Sequence, residues 1–389
     1  MKKKMRILFI SDAGDKRGAQ KSLVELMLTL KRIYNVEPVL LTKKKNNLNR
    51  ICDENGIENY SFWYRYVMAS SPYNKKIINV VKHILGYMTY VFGAFTKYRV
   101  NHLGINFNCI DIIHTNTNRV DLGLYLQNKY GIPHVMHLRE FGAEDFGSVI
   151  YRKNMFSDFC KYTDYFIAIS QCVKKGWIQK GLRKEQIRVI YNGLDTSKYC
   201  VKNHNNSRMQ IVVAGAINKF KGQIQIVRAV SLLPDYVKQN IRVTFLGNGK
   251  FDYLKELKEE IQTSHLERQF VFGGYCNDLE HQLCKFDVGV IPSKAEGFGR
   301  VTVEYMLSGL CVIASDTGAN PEIIVDNECG CIYSYGDEKA LAKKIEYLYQ
   351  NPDIRKKLAQ KGCERAKTHF TTEINASNIY NLYIKILQS

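Results

Sequence analysis

The chain has 389 residues, of which 45% are hydrophobic, so it is too long for one ordinary core and two domains are expected. No run of 18 or more apolar residues occurs, so no transmembrane helix is expected; Asp12, Asp15, Lys16 and Arg17 break any signal-peptide core after the basic start. The net charge of +19 is uneven, with +16 in residues 1–200 and +3 in residues 201–389; no nucleic-acid-binding motif appears, so an anionic membrane surface is the favoured partner and nucleic acid is not.

Taken in chain order, Arg6 to Ser11 reads as a strand, Asp12 to Gln20 as a glycine loop, Ser22 to Arg32 as an amphipathic helix and Val36 to Thr42 as a second strand. Strand then helix, repeated, is the doubly wound α/β pattern. Gly14 and Gly18 lack the spacing of a dinucleotide fingerprint, so the loop is either a tight turn or a ligand-facing loop. Residues 60–108 interleave aromatics (Trp63, Tyr66, Tyr73, Tyr87, Phe92, Phe95) with cations (Arg65, Lys75, Lys82, Arg99). Ile77 to Phe95 reads as a helix that either packs on its own domain or lies at a membrane interface. His114 and His137 fall at the carboxyl ends of strands, where such sheets bind ligands. Ser170 caps a helix after the strand Tyr165 to Ile169. Arg188 to Asp195 includes Asn192 and leads to a polar linker over residues 198–209.

The pattern then restarts. Gln210 to Gly215 is a strand, and Lys221-Gly222 precedes a helix; Val243 to Leu246 and Phe270 to Phe272 are further strands. Helices follow over 337–349, 354–369 and 373–387. The eleven cysteines are scattered and odd in number, which suits reduced, mostly buried thiols, and no Cys/His spacing fits zinc.

The stretch that organises the chain is Pro292-Ser293-Lys294-Ala295-Glu296-Gly297-Phe298-Gly299-Arg300-Val301-Thr302-Val303-Glu304. It joins the apolar strand Val288 to Ile291 to a helix that Gly309 closes. A helix N-terminus suits a phosphate, and Gly297 and Gly299 let the backbone approach it. Carboxylates there would repel a phosphate, so Glu296 and Glu304 are better used as acceptors for neutral hydroxyls. Together they describe a nucleotide-sugar site, with hexose at one end and ribose at the other. A second strand, Leu310 to Ala314, and a glycine turn, Ser315 to Glu322, follow.

This run resembles the nucleotide-sugar site of glycosyltransferase family 4, the retaining enzymes of GT-B fold, whose signature is a Glu, seven residues and a second Glu. The resemblance implies two Rossmann-like α/β domains facing a cleft: an acceptor domain at 1–197, with helix 371–389 packing back on it, and a nucleotide-sugar domain at 198–370. It implies a retaining transfer of a hexose from a nucleoside-diphosphate sugar, with UDP as default, by front-face displacement. The acceptor would be a saccharide or lipid-linked oligosaccharide used for cell-surface polysaccharide, and the protein would be cytoplasmic, peripheral at the inner face of the plasma membrane. Residue by residue, it puts His137 beside the transferred sugar, Glu296 on its hydroxyls and Glu304 on the ribose. Lys221 would meet the diphosphate, and Gly18, Asn192, Gly215, Gly297, Phe298 and Gly299 would line the site. No metal and no cofactor are implied. Ala216 stands where the family has an arginine, which leaves Lys221 as the one matched cation. Two other readings share the architecture: a sugar-nucleotide 2-epimerase, and a non-catalytic glycosyltransferase-like partner subunit.

Overall fold

A computed structural model describes residues 4–12, 18–69, 76–141, 149–201 and 207–388, without the side chains of 69, 76–79 and 82. Most of the first glycine loop (13–17), Tyr73, Lys75 and linker residues 202–206 lie outside the described residues, as does the side chain of Lys82.

The chain divides into two compact units, 1–193 with 372–389, and 194–371. The first is built on β1 (Arg6–Ser11), β2 (Glu37–Thr42), β3 (Glu58–Ser61), β5 (Ile112–Thr115), β6 (His134–Leu138), β8 (Tyr165–Ala168) and β9 (Ile187–Val189), in the order β3-β2-β1-β5-β6-β8-β9. The neighbours are parallel throughout. A short antiparallel pair, β4 (Met68–Ala69) with β7 (Val149–Ile150), stands apart. Such a sheet is covered on both faces, so its strands need unbroken apolar runs. In β1, Ile7, Leu8, Phe9 and Ile10 are all fully buried.

The helix Thr372–Gln388 completes this unit. Ala376, Ile379, Leu382, Tyr383 and Ile386 enter the same core as Ile7, Phe9 and Leu23. Full burial of each large apolar side chain contributes roughly 1.5–3 kcal/mol, so this helix is a structural member of the unit that the start of the chain begins.

The second unit has β10 (Met209–Ala214), β11 (Ile241–Leu246), β12 (Phe270–Gly274), β13 (Val288–Ile291), β14 (Cys311–Ser315) and β15 (Cys331–Tyr333), in the order β12-β11-β10-β13-β14-β15, again parallel. In both sheets the order reverses beside the first strand: between β1 and β5, and between β10 and β13. Loops that leave the carboxyl ends of two such strands diverge and leave a crevice there.

The largest differences from the sequence reading are at two helix limits. The first helix starts at Gly18, four residues before Ser22. The aromatic-basic helix spans Lys76–Phe92 and stops short of Phe95, because Gly93 and Ala94 bend the chain into a 3₁₀ turn at Thr96–His102. Among the described residues no helix is long and apolar enough to cross a membrane.

Candidate functional site

The loops on either side of the β10/β13 reversal bring together the residues singled out around Glu296. The loop after β10 opens with Gly215 at φ +128° and closes with Gly222 at φ +67°. Asn218 shapes it: its side-chain oxygen accepts from the N–H groups of Phe220 and Lys221, both at 3.0 Å. Gln223 ties the two ends, accepting from Asn218 N–H at 3.3 Å and donating to the Ala216 carbonyl at 3.0 Å. The loop after β13 is stitched to it, with Lys294 N–H donating to the Phe220 carbonyl at 2.7 Å and Gln225 donating to the Pro292 carbonyl at 2.8 Å. A Cβ on Gly222 would overlap that carbonyl, so only glycine lets the loops close.

Within this frame Lys221 Nζ lies 2.6 Å from Glu296 Oε1. The lysine side chain is one-third exposed and the glutamate 13%. Together with Gln223, Ser293 and Val301 they line a small cavity floored by Val213, Ala214 and Val290. The glutamate's backbone is fixed from the far side, where Ala319 N–H donates to its carbonyl at 2.8 Å and Gly318, at φ +60°, leans on it. Ser315 and Thr317 hydroxyls both donate to the Ser293 carbonyl at 2.7 Å.

The helix Arg300–Leu307 begins at Gly299, whose φ of +80° is a left-handed conformation that glycine adopts without strain. Tyr305 pins this helix down. Its ring fills the space that the missing side chain of Gly289 leaves on β13, and its fully buried hydroxyl accepts from Ala214 N–H at 2.6 Å. Burial pushes the Tyr305 phenol far up, so it stays neutral and polar groups meet without a buried charge. Phe298 is also turned inward, edge-on to Phe370 at 5.8 Å, which makes its ring an anchor for the loop. Glu304 is 4% exposed and ion-paired with Arg300 at 3.1 Å, one turn away.

In the first unit, His137 and His114 are brought together, with His114 Nε2 and His137 Nδ1 at 2.7 Å. His114 Nδ1 is hydrogen-bonded to the Tyr383 hydroxyl of the returning helix. Burial, then the Arg139 charge, holds both imidazoles well below the usual histidine range, so both are neutral. His137 Nε2 is buried and has no hydrogen-bond partner among the described residues. Arg139, which sequence reasoning passed over, links two strand-end loops: it donates to Asn116 and to Asn192, each at 2.8 Å. Gly18 is the first residue of its helix, beside the undescribed loop.

Two family models match the chain in tandem: Glycosyltransferase Family 4 over residues 70–198 and Glycosyl transferases group 1 over residues 200–365. The chain belongs to glycosyltransferase family 4. It is 29% identical to EpsD of Bacillus subtilis over 57% of this chain and 62% of that one. It is 26% identical to the capsular polysaccharide biosynthesis glycosyltransferase CapM of Staphylococcus aureus, over 61% of this chain and 66% of CapM. The alignments thus span a little under two thirds of these relatives. The fold matches that of Alr3699/HepE from Anabaena, crystallised with UDP, at a TM-score of 0.77 and 20% identity over 98% of this chain and all of HepE. The architecture is therefore GT-B, with two Rossmann-like units.

As a family 4 chain it keeps the paired glutamates but departs at Ala216, which is exposed and offers only its carbonyl, to Gln223. No guanidinium replaces it within the loop. Lys219 turns outward to Glu256 at 3.0 Å and is 74% exposed, and Arg300 is held by Glu304. Among the described residues, no group of three or more His, Cys, Asp or Glu side chains could hold a metal ion.

Proposed function

We propose that this family 4 chain is a retaining glycosyltransferase. It moves a hexose from UDP-hexose to a lipid-linked saccharide in cell-surface polysaccharide synthesis. The observation that carries this reading is the Lys221–Glu296 pair across the β10/β13 crevice. A cation suited to a diphosphate and a carboxylate suited to sugar hydroxyls lie side by side, ahead of the helix start at Gly299. On donor binding, Lys221 turns to the diphosphate and Glu296 accepts from the sugar. Glu304 takes the ribose, and no resident metal is required. As the glycosidic bond breaks, charge grows on the leaving diphosphate, and Lys221 with the loop N–H groups offsets it. No side chain is assigned as a covalent nucleophile, so the displacement proceeds on the front face, with His137 assigned to the transferred sugar by its family position. The UDP in HepE and the capsular role in CapM's name support the donor and the pathway class.

A thermal-shift panel tests the donor. Only the folded protein binds ligand, so a UDP-sugar at a hundred times its Kd stabilises by about 2.7 kcal/mol. UDP-hexoses are expected to raise the melting temperature and GDP-mannose to leave it unchanged. No shift with any nucleotide sugar would refute the site. Radiolabelled donor then separates transfer or hydrolysis from epimer formation, or from neither.

The same reading puts the first unit on the membrane. The helix Lys76–Phe92 faces inward with His83, Gly86 and Tyr90, which meet Tyr151. Outward it shows Val80, Val81, Ile84, Leu85, Met88 and Phe92, each roughly half exposed or more. An outward apolar face on a strongly basic unit fits the interface of an anionic bilayer, where each basic residue contributes about 1 kcal/mol. Cosedimentation with phosphatidylglycerol vesicles is expected to be strong and to fall with salt. Ile84→Ser/Leu85→Ser is expected to abolish it without unfolding the chain. Equal binding to neutral vesicles at high salt would reject the electrostatic part.

A further inference from the structure

The first unit has its own crevice, where the strand order reverses between β1 and β5, and its rim carries a pair of cations. Lys43 directly follows β2, and Arg119 lies in the loop after β5. Both face one ring: Lys43 Nζ is 3.4 Å from the Tyr66 centroid and the Arg119 guanidinium 4.9 Å. Trp63, 41% exposed, flanks Lys43 at 5.1 Å. Arg119 is paired with Asp12, just after β1, whose Oδ2 is 3.7 Å from Arg119 and whose Oδ1 accepts from Gln20 at 3.3 Å. Lys43 has no ion pair among the described residues. Burial and then the Arg119 charge pull its ammonium down to about 8, against the opposing charge of Asp12.

The aromatic wall also meets the outward-facing helix. At Gly93, where that helix ends, an added Cβ would come within 3.0 Å of Trp63 and 2.8 Å of Arg65. A molecule whose tail lies in the bilayer beside the helix would carry its polar head to this wall.

We propose that Lys43 and Arg119, over Tyr66 and beside Trp63, form a subsite for the phosphate of a phosphorylated acceptor, with the Trp63 ring against the adjoining sugar. This rests on the acceptor half of the function proposed above and names its chemical class. Two cations take a phosphate by charge, and an exposed indole offers a flat apolar face to a pyranose. Asp12 is kept from the anion by its bonds to Arg119 and Gln20.

Trp63 reports on the site, because the chain's second tryptophan, Trp177, is buried with its Nε1 donating to the Glu140 carbonyl. With the second unit saturated by UDP, the full chain is titrated with glucose 1-phosphate, inorganic phosphate and glucose while tryptophan emission is followed. A saturable change is expected with both phosphates and none with glucose. Lys43→Gln and Arg119→Gln should each weaken it at least tenfold, while the UDP thermal shift stays intact. An equal response to glucose, or an unchanged titration in both variants, would overturn the proposal. So would loss of the glucose 1-phosphate response in chain already bound to phosphatidylglycerol vesicles, which would give the subsite to a lipid headgroup. Loss of the UDP shift in the wild-type chain would instead strike the donor site, so the two failures are distinguishable.

Discussion

Lys221→Ala is expected to lower kcat by about a hundredfold or more, with a smaller rise in donor KM. Removing one preorganised donor from a group that gains charge in the transition state typically costs ~10²–10³ in kcat. Two features put this variant at the large end. Ala216 supplies no second cation, and Glu296, 2.6 Å away, already holds the lysine at the cavity from which it turns to the diphosphate. Removing it also strips Glu296 of a partner. Glu296→Gln, which keeps the shape and loses the charge, is therefore the comparison to run beside it. Lys219→Ala is the control, since that side chain points to Glu256 and solvent. Steady-state kinetics of these three variants and of Arg300→Ala decide the matter. A drop of only a few-fold for Lys221→Ala, with a large one for Arg300→Ala, would move the charge-neutralising role to the helix start.

Gly318→Ala is expected to destabilise the second unit by about 3 kcal/mol and to impair donor binding. Two costs add. At φ +60° an alanine is strained by roughly 1–2 kcal/mol, and its Cβ would overlap the backbone N and carbonyl O of Glu296, a clash of the kind that costs ~1–3 kcal/mol. Backbone cannot rotate aside as a side chain can, so the Glu296 loop must shift, and with it the bond from Ala319 N–H. For a unit of this size the melting temperature should fall by about 6–12 °C. Gly336→Ala separates the two costs. Its φ of +85° carries the same conformational strain, but nothing lies within 4 Å of the new atom. Equal melting temperatures for the two variants would mean that the turn does not brace the glutamate.

The strand, glycine loop and helix from Val288 to Leu307 were legible because a doubly covered strand is apolar without interruption and glycine marks the turn at its end. The partner of Glu296 was not legible as a contact. Lys221 is 75 positions away, and only the placement of β10 beside β13 makes them neighbours. The same holds for Arg139, whose meaning lies in joining Asn116 to Asn192, and for Gln225, whose amide closes two loops at once. The helix Asn47–Glu54 escaped for a chemical reason. Its capping box is made by Asn46 and Asn49 rather than by the usual hydroxyl and glutamate. In the helix Lys76–Phe92 the apolar residues were plain, but periodicity alone does not say which stripe packs. The tyrosine at 151 decides it, by filling the notch at Gly86.

The returning helix sets an order on biosynthesis. The first unit leaves the ribosome as a sheet lacking the wall formed by Ile379, Leu382, Tyr383 and Ile386. The whole of residues 194–371, a second sheet with a complete core of its own, is translated before that wall arrives. Domains made first ordinarily finish first. Here the nascent first unit waits, its apolar face and the Tyr383 socket at His114 uncovered, while a later-made neighbour closes its own core, so the earlier half of the polypeptide is the longer-lived client for a chaperone.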